Sequence, residues 1–277
     1  MIPIIILVVN ILFLLIFISV LIAPGYSSEE LRAPFIKRNI AHRGYHSKDK
    51  LIPENSMAAF RAAIANGYGI ELDIQFSKDE QIVIFHDNTL KRVCGVEGRV
   101  DDYTYEELLQ FSLYNTKERI PLFTDFLALV DGQVPLVVEL KNGPKNEELC
   151  KKTYEYLKNY KGDYCIESFQ PLIVAWFKRN APHILRGQLS AGPEEFKGEL
   201  KRYQAYALSR LLTNFIARPH FISYHKQKRS WLAQLVDMMG AMKVVWTVRD
   251  NDNITEIEKK NDTIIFEFYQ PEVHFKE

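Results

Sequence analysis

Five places in this chain set charged or polar side chains after short apolar, β-branched runs: His42-Arg43-Gly44, Glu71-x-Asp73, His86-Asp87, Glu139-x-Lys141 and Ser168. Residues two apart in a strand face the same way, so Glu71 points with Asp73, and Glu139 with Lys141. Carboxylates gathered in a protein interior are costly unless a cation or a proton compensates them. Glu71, Asp73 and Glu139, with no thiolate ligand among them, suit a hard divalent ion, Ca²⁺ or Mg²⁺. His42 and His86 add proton transfer. Cleaving a phosphodiester takes a proton from the attacking oxygen and gives one to the leaving alkoxide. Two imidazoles on opposite sides of the phosphorus can do both near neutral pH. Arg43 offers a planar fork to two phosphoryl oxygens, Lys141 a point charge, and Gly44 room for close backbone approach. Singly, each pattern is ordinary, since a strand-end His is more often structural and a Glu-x-Asp pair usually solvated. Together, at five strand ends, they are hard to explain as packing.

Such convergence requires a fold that gathers strand ends. Eight runs read as strands: Asn39–His42, Gly69–Asp73, Pro135–Lys141, Tyr164–Phe169, Ile184–Leu189, Phe221–Tyr224, Val244–Val248 and Thr263–Phe266. Helix-like stretches lie between most of them, at Glu54–Asn66, Thr124–Val130, Asn146–Lys161, Pro171–Arg179, Glu194–Ala217, Ser230–Met239 and Ile254–Lys260. This alternation predicts parallel strands with right-handed crossovers, and eight of them close an α/β TIM (β/α)8 barrel with its site at the C-terminal strand ends. Gln81–His86 follows Asp73 too soon for a helical crossover, so it should turn back through Ser77-Lys78-Asp79-Glu80 as a hairpin that returns His86 to the mouth. Residues 88–121 show little pattern beyond Thr104–Gln110 and read as an insertion capping one side of that mouth.

The first charged side chain is Glu29, and residues 2–24 are almost wholly apolar. About twenty such residues cross a bilayer. A cleaved signal would want a basic start, a shorter apolar core and a small-residue cleavage site, whereas here Ala23 is followed by Pro24. The expectation is an anchor over 1–25, a connector over 26–38 and one barrel domain over 39–277. Arg32, Lys37 and Arg38 follow the apolar run, which favours a cytoplasmic-facing catalytic domain. Thirty-five basic residues balance thirty-five acidic ones, so no net field draws nucleic acid. Cys94, Cys150 and Cys165 form neither a disulfide framework nor a metal pair.

The segments AHRGYHSKDKLIPENSMAAFRAAIANG, IELDIQFSKDEQIVIFHDNTLKRVCG, IPLFTDFL and VVELK closely resemble the glycerophosphodiester phosphodiesterase family, and ESFQP, VVWTVRD and TIIFEFYQP extend the resemblance more weakly, over about residues 39–271. The resemblance implies a phosphatidylinositol-phospholipase-C-like barrel that hydrolyses glycerophosphodiesters to sn-glycerol 3-phosphate and an alcohol. It implies His42 and His86 as the acid/base pair, Glu71, Asp73 and Glu139 as metal ligands, and Arg43 and Lys141 as phosphate contacts, supported by Glu54 and Asn55. Whether water attacks, or the glycerol 2-hydroxyl through a cyclic phosphate, stays open. Arg249 and the tail Phe266-Glu267-Phe268-Tyr269-Gln270-Pro271 depart from the family pattern, and the expectation is that they touch the outer pocket and leave the hydrolytic core alone. Trp246 reads equally as a substrate-pocket wall or as core. His46, His183, His220, His225 and His274 are expected to lie outside the chemistry. A lysophospholipase-D-like enzyme acting on lysolipids at the bilayer is the alternative, and a catalytically silent phosphodiester-binding barrel is a third reading.

Overall fold

In the computed structural model, which describes residues 2–197, 200–226 and 229–275, eight parallel strands close into a ring. They are β1 (Arg38–Ala41), β2 (Gly69–Phe76), β4 (Leu136–Leu140), β5 (Tyr164–Ser168), β6 (Leu185–Ser190), β7 (Phe221–His225), β8 (Met242–Val248) and β9 (Thr263–Phe266), in that order around the barrel. β3 (Ile82–Ile84) turns back antiparallel on the end of β2, pairing Ile84 with Ile74. The expected hairpin is there.

The α-helices are α1 (Ile2–Ile22), α2 (Glu29–Arg32), α3 (Met57–Ala65), α4 (Lys91–Cys94), α5 (Tyr105–Leu108), α6 (Phe123–Val130), α7 (Asn146–Leu157), α8 (Pro171–Asn180), α9 (Arg202–Ser209), α10 (Asn214–Ala217), α11 (Trp231–Met238) and α12 (Ile254–Lys260). Alternation along the strands divides the core. Ile70, Leu72, Val138 and Ile166 face outward and pack on Phe60, Phe126 and Phe177 of the surrounding helices. Val137, Cys165, Leu185, Phe221, Met242 and Ile265 instead fill the barrel's N-terminal half. One layer further along the same strands come the charged residues. β4 carries Val137 inside the plug, then Glu139, and Lys141 follows at the mouth. At Gly187 a Cβ would meet the Phe221 ring at 2.0 Å, so only glycine lets that ring fill the interior.

Several boundaries differ from the sequence reading. The helix expected from Glu54 begins at Met57, because Ser56 caps it, its hydroxyl accepting from the Ala59 amide at 3.1 Å. Glu54 and Asn55 are thereby released into the preceding turn, next to the mouth. The stretch Asn146–Lys161 is helical only to Leu157. The long helix expected over 194–217 is a short 3₁₀ turn at Pro193–Phe196 followed by α9 and α10; Gly198 and Glu199 lie outside the described residues, and Leu211 breaks the path with a φ of 58°. The stretch after α1 is more than a connector: Phe35 is buried in the barrel plug, and Thr263 Oγ1 donates to its carbonyl at 2.7 Å.

The 88–121 segment builds its own small core, in which Val83 and Phe85 of the hairpin pack on Leu90, Val93, Val100, Leu108, Leu113 and Ile120. It holds the hairpin against the mouth. At the other pole, α1 stands with its first three-quarters exposed, and only its last turns touch the barrel. Asn214 Nδ2 donates to Ile22 O at 2.9 Å and Arg218 Nη1 to Ala23 O at 2.9 Å, satisfying carbonyls the helix end leaves open.

Candidate active site

Strand register gathers the carboxylates. Asp73 lies opposite Glu139 across the β2–β4 pair, Glu71 is two residues before Asp73 on the same face, and Glu139 lies opposite Glu167 on β5. Glu71, Asp73 and Glu139 are buried, and each offers an oxygen within 4.8 Å of the others. The Arg43 amide donates to Glu71 at 2.9 Å, Asn55 Nδ2 to Asp73 at 2.8 Å, and Lys141 Nζ to Glu139 at 2.8 Å and Asp73 at 3.3 Å. Arg43 Nη1 donates to Glu54 at 2.6 Å, and its Nε is 3.5 Å from Asp73.

These charges do not balance. Burial and the neighbouring Asp73 and Glu139 carboxylates push Glu71 well above the ordinary carboxylate range, and burial pushes Glu139 up to about 7 against the pull of Lys141. Glu167 is raised to about 8, by burial and by Glu139. Asp73 alone among the three is held well below its usual value, the cations around it overcoming burial. Three convergent hard oxygen donors short of positive charge fit a divalent cation such as Ca²⁺ or Mg²⁺.

Each histidine has its own carboxylate. β1 and β9 run side by side, with the His42 amide donating to Phe266 O at 3.0 Å, so the residue after each strand meets its counterpart: His42 Nδ1 lies 2.6 Å from Glu267 Oε1. Glu267 also accepts from Arg249 at 2.9 and 3.1 Å, and His46 Nε2 is 3.5 Å away. With a carboxylate on Nδ1, the free nitrogen of His42 is Nε2, which faces the cluster 3.8 Å from Glu71. His86, returned by the hairpin, has Nδ1 2.6 Å from Asp87, and the adjoining Phe85 amide donates to Asp73 O. Arg92 from α4 donates to Asp87 at 2.6 Å and to Glu54 at 2.7 and 2.9 Å, and Tyr114 OH donates to Glu54 at 2.8 Å. One network thus runs from His86 through Asp87, Arg92 and Glu54 to Arg43. Burial, Lys141 and Arg43 lower His86 to about 4, and burial lowers His42 as well.

Of the residues singled out from sequence, His42, His86, Arg43, Glu71, Asp73, Glu139, Lys141, Glu54 and Asn55 share this mouth. Trp246 lies at the same mouth but apart from this charged cluster. It sits across the ring on β8, where its Nε1 donates to Ser223 O at 3.0 Å and its ring packs on Phe169 and His225. One expectation is corrected: Glu267 and Arg249 do not lie away from the chemistry, because β1–β9 pairing sets Glu267 directly on His42 and Arg249 on Glu267. The strand-end position of Glu267, matching that of His42, was the available signal. Asp87, Arg92 and Tyr114 were also missed as partners. His46 approaches Glu267, whereas His183 stacks near Tyr154, and His220, pushed down to about 3 by burial, sits at the opposite pole.

A family model described as the glycerophosphoryl diester phosphodiesterase family matches residues 42–268. A glycerophosphodiester phosphodiesterase of Caldanaerobacter subterraneus subsp. tengcongensis is 37% identical over 191 residues, covering 64% of this chain and 76% of the relative. A lysophospholipase D of Rattus norvegicus is 32% identical over 154 residues, covering 51% of this chain and 47% of the relative, so the chain spans about half of that protein. Among solved structures, an Oleispira antarctica phosphodiesterase in complex with the product sn-glycerol-3-phosphate superposes with a TM-score of 0.68 at 23% identity, covering 85% of this chain and 94% of that one.

Proposed function

The chain belongs to the glycerophosphoryl diester phosphodiesterase family and is a phosphoric diester hydrolase; on that premise we propose that it hydrolyses glycerophosphodiesters to sn-glycerol 3-phosphate and an alcohol. The observation that carries the reading is the pair of carboxylate-backed histidines flanking a buried carboxylate triad. His42 and His86 exchange the protons: one accepts from the attacking oxygen while the other gives to the alkoxide as its bond to phosphorus breaks. Glu267 and Asp87 fix the imidazole tautomers and steady the imidazolium that forms. Arg43 and Lys141 face the phosphoryl oxygens, with Arg43 aimed by Glu54. Glu71, Asp73 and Glu139 would hold the divalent ion, which when bound supplies charge stabilisation to the phosphoryl oxygens. A silent binding barrel has no use for two separately oriented histidines, so this arrangement favours turnover.

A second reading keeps the machinery and changes the substrate to lysolipids. The similarity to a lysophospholipase D favours it, as does an apolar lip of Phe169, Phe196 and Trp246 on the mouth. A panel of glycerophosphodiesters and lysolipids, assayed with the purified chain with and without chelator, separates the two. Release of glycerol 3-phosphate from water-soluble diesters supports the first reading; turnover confined to lysolipids supports the second.

α1 is long and apolar enough to cross a membrane, and it anchors the barrel in this proposal. Arg32, Lys37 and Arg38 favour a cytoplasmic-facing barrel. A Glu30→Cys reporter should resist a membrane-impermeant thiol reagent until cells are lysed; prompt labelling of intact cells reverses the orientation.

A further inference from the structure

Among the described residues ten large apolar side chains outside α1 are exposed, and six of them, Tyr203, Tyr206, Phe215, Trp231, Met238 and Met239, each at least 39% exposed, lie on or beside α9, α10 and α11; the others are Tyr26, Leu51, Leu109 and Leu172. These helices surround the foot of α1: Ile18, Leu21 and Ile22 pack on Leu211 and Leu212 between α9 and α10, and on Leu232, Leu235 and Val236 of α11. α9 and α11 are themselves joined, Ser230 Oγ donating to Ser209 O at 3.4 Å. Isolated surface hydrophobics need no explanation, but a group clustered around one feature does.

Charge marks the same face. The whole chain is neutral, yet from Lys201 to Val236 there is no Asp or Glu; Lys226 and Arg229 pair with Asp252 and Asp237, and Arg218 caps the end of α1, while Lys201, Arg202 and Arg210, the last over the Tyr206 ring, are the cations of the α9 side. Lys201 and Arg202, at the start of α9, are exposed beside Tyr203. Trp and Tyr with Lys and Arg are the side chains that favour the headgroup layer, where an apolar ring and a cation both find their medium.

We propose that the α9–α10–α11 face is a bilayer-docking surface, which lays the side of the barrel on anionic headgroups around the base of the membrane helix. The inference rests on the anchor reading of α1. That helix ends among these residues, and a span leaving the protein there brings the interface to them. The ring order puts β6 and β7, which α9, α10 and α11 adjoin, across the barrel from β1 and β2. The catalytic wall therefore faces away from the lipid, and the apolar lip formed with Phe196 lies on the lipid side.

The test reconstitutes the full chain in phosphatidylcholine vesicles containing about one-third phosphatidylglycerol, with acyl chains brominated near the headgroup or left plain. The emission of Trp231 is taken as the difference between the full chain and Trp231→Phe, and a carbonate wash reports whether α1 is embedded. Docking predicts that brominated lipid quenches the Trp231 component. Each basic residue near anionic headgroups shifts docking about fivefold, so Lys201→Gln/Arg202→Gln should weaken it on the order of twentyfold. Turnover of a water-soluble glycerophosphodiester should not change. Trp231 emission equal in plain and brominated vesicles, with the chain resistant to carbonate, overturns the docking surface and leaves the anchor. If carbonate strips the chain, the anchor reading has failed, and flotation with the vesicles decides: flotation with Trp231 quenched upholds the surface, and its absence overturns it.

Discussion

Replacing Glu267 by Gln keeps the shape of the His42 partner and removes its charge. The carboxylate is 6% exposed and sits 2.6 Å from His42 Nδ1, with Arg249 on its other oxygen. A hydrogen bond to a charged partner contributes about 1.5–3 kcal/mol. That bond matters most when His42 carries a proton, so the loss falls on the transition state and corresponds to roughly 10- to 150-fold in kcat. Gln can also present its amide to Nδ1 and turn the proton to the wrong nitrogen, which places the expected value toward the upper end. KM should move little, because Glu267 is separated from the phosphoryl contacts Arg43 and Lys141. Steady-state kinetics on a soluble glycerophosphodiester, with thermal unfolding as the fold control, reads both constants. A folded Glu267→Gln enzyme with unchanged kcat would refute the role given to this carboxylate.

The remaining predictions concern the cluster, the hairpin and the mouth network. Saturating Ca²⁺ or Mg²⁺ at about a hundred times its dissociation constant should stabilise the folded chain by roughly 2.7 kcal/mol, a rise in Tm of about 5–10 °C; Glu139→Gln should abolish it, and an equal rise in that variant refutes the ligand assignment. His86→Ala should cost turnover about 10²–10⁴, and combining it with His42→Ala should cost well short of the product of the two losses, since both serve one transition state; wild-type turnover in His86→Ala points to another proton donor. Burial raises the Glu54 carboxyl, but Arg92 and Arg43 more than offset it and hold it well below the ordinary range. Its folded value is depressed, so its contribution is full above the unfolded carboxylate value and fades as pH falls below that. Glu54→Gln should therefore be less stable at pH 7 and show a shallower stability loss between pH 5 and pH 3; parallel curves for the two proteins exclude the linkage.

The parts legible in the sequence were those set by local period. A two-residue repeat is enough to aim Glu71 with Asp73, and the short gap before Gln81 is enough to require a hairpin that returns His86. Contacts made by distant pairing were not legible. Glu267 is 225 residues from His42, and only the closure of β9 on β1 makes them neighbours. Arg92 and Tyr114 come from a segment without helical or strand period, held by a satellite core of scattered apolar residues, so nothing local announced their direction. The break of the 194–217 stretch at Leu211 was hidden for a similar reason: Leu211 is buried against α1 and β7, and that tertiary packing overrides a continuous helical pattern. Likewise Phe35 looked like part of a linker until the barrel above it supplied an interior to fill.

The central claim is that this mouth breaks the bond between phosphorus and the alcohol oxygen of a glycerophosphodiester. Phosphorus NMR on a soluble glycerophosphodiester incubated with the purified chain and Mg²⁺ or Ca²⁺ follows that bond directly. The account predicts that the diester resonance is replaced by that of sn-glycerol 3-phosphate, and that His42→Ala or chelation leaves the diester intact. An unchanged diester with every divalent ion, or a phosphomonoester carried on the alcohol instead of on glycerol, would contradict it.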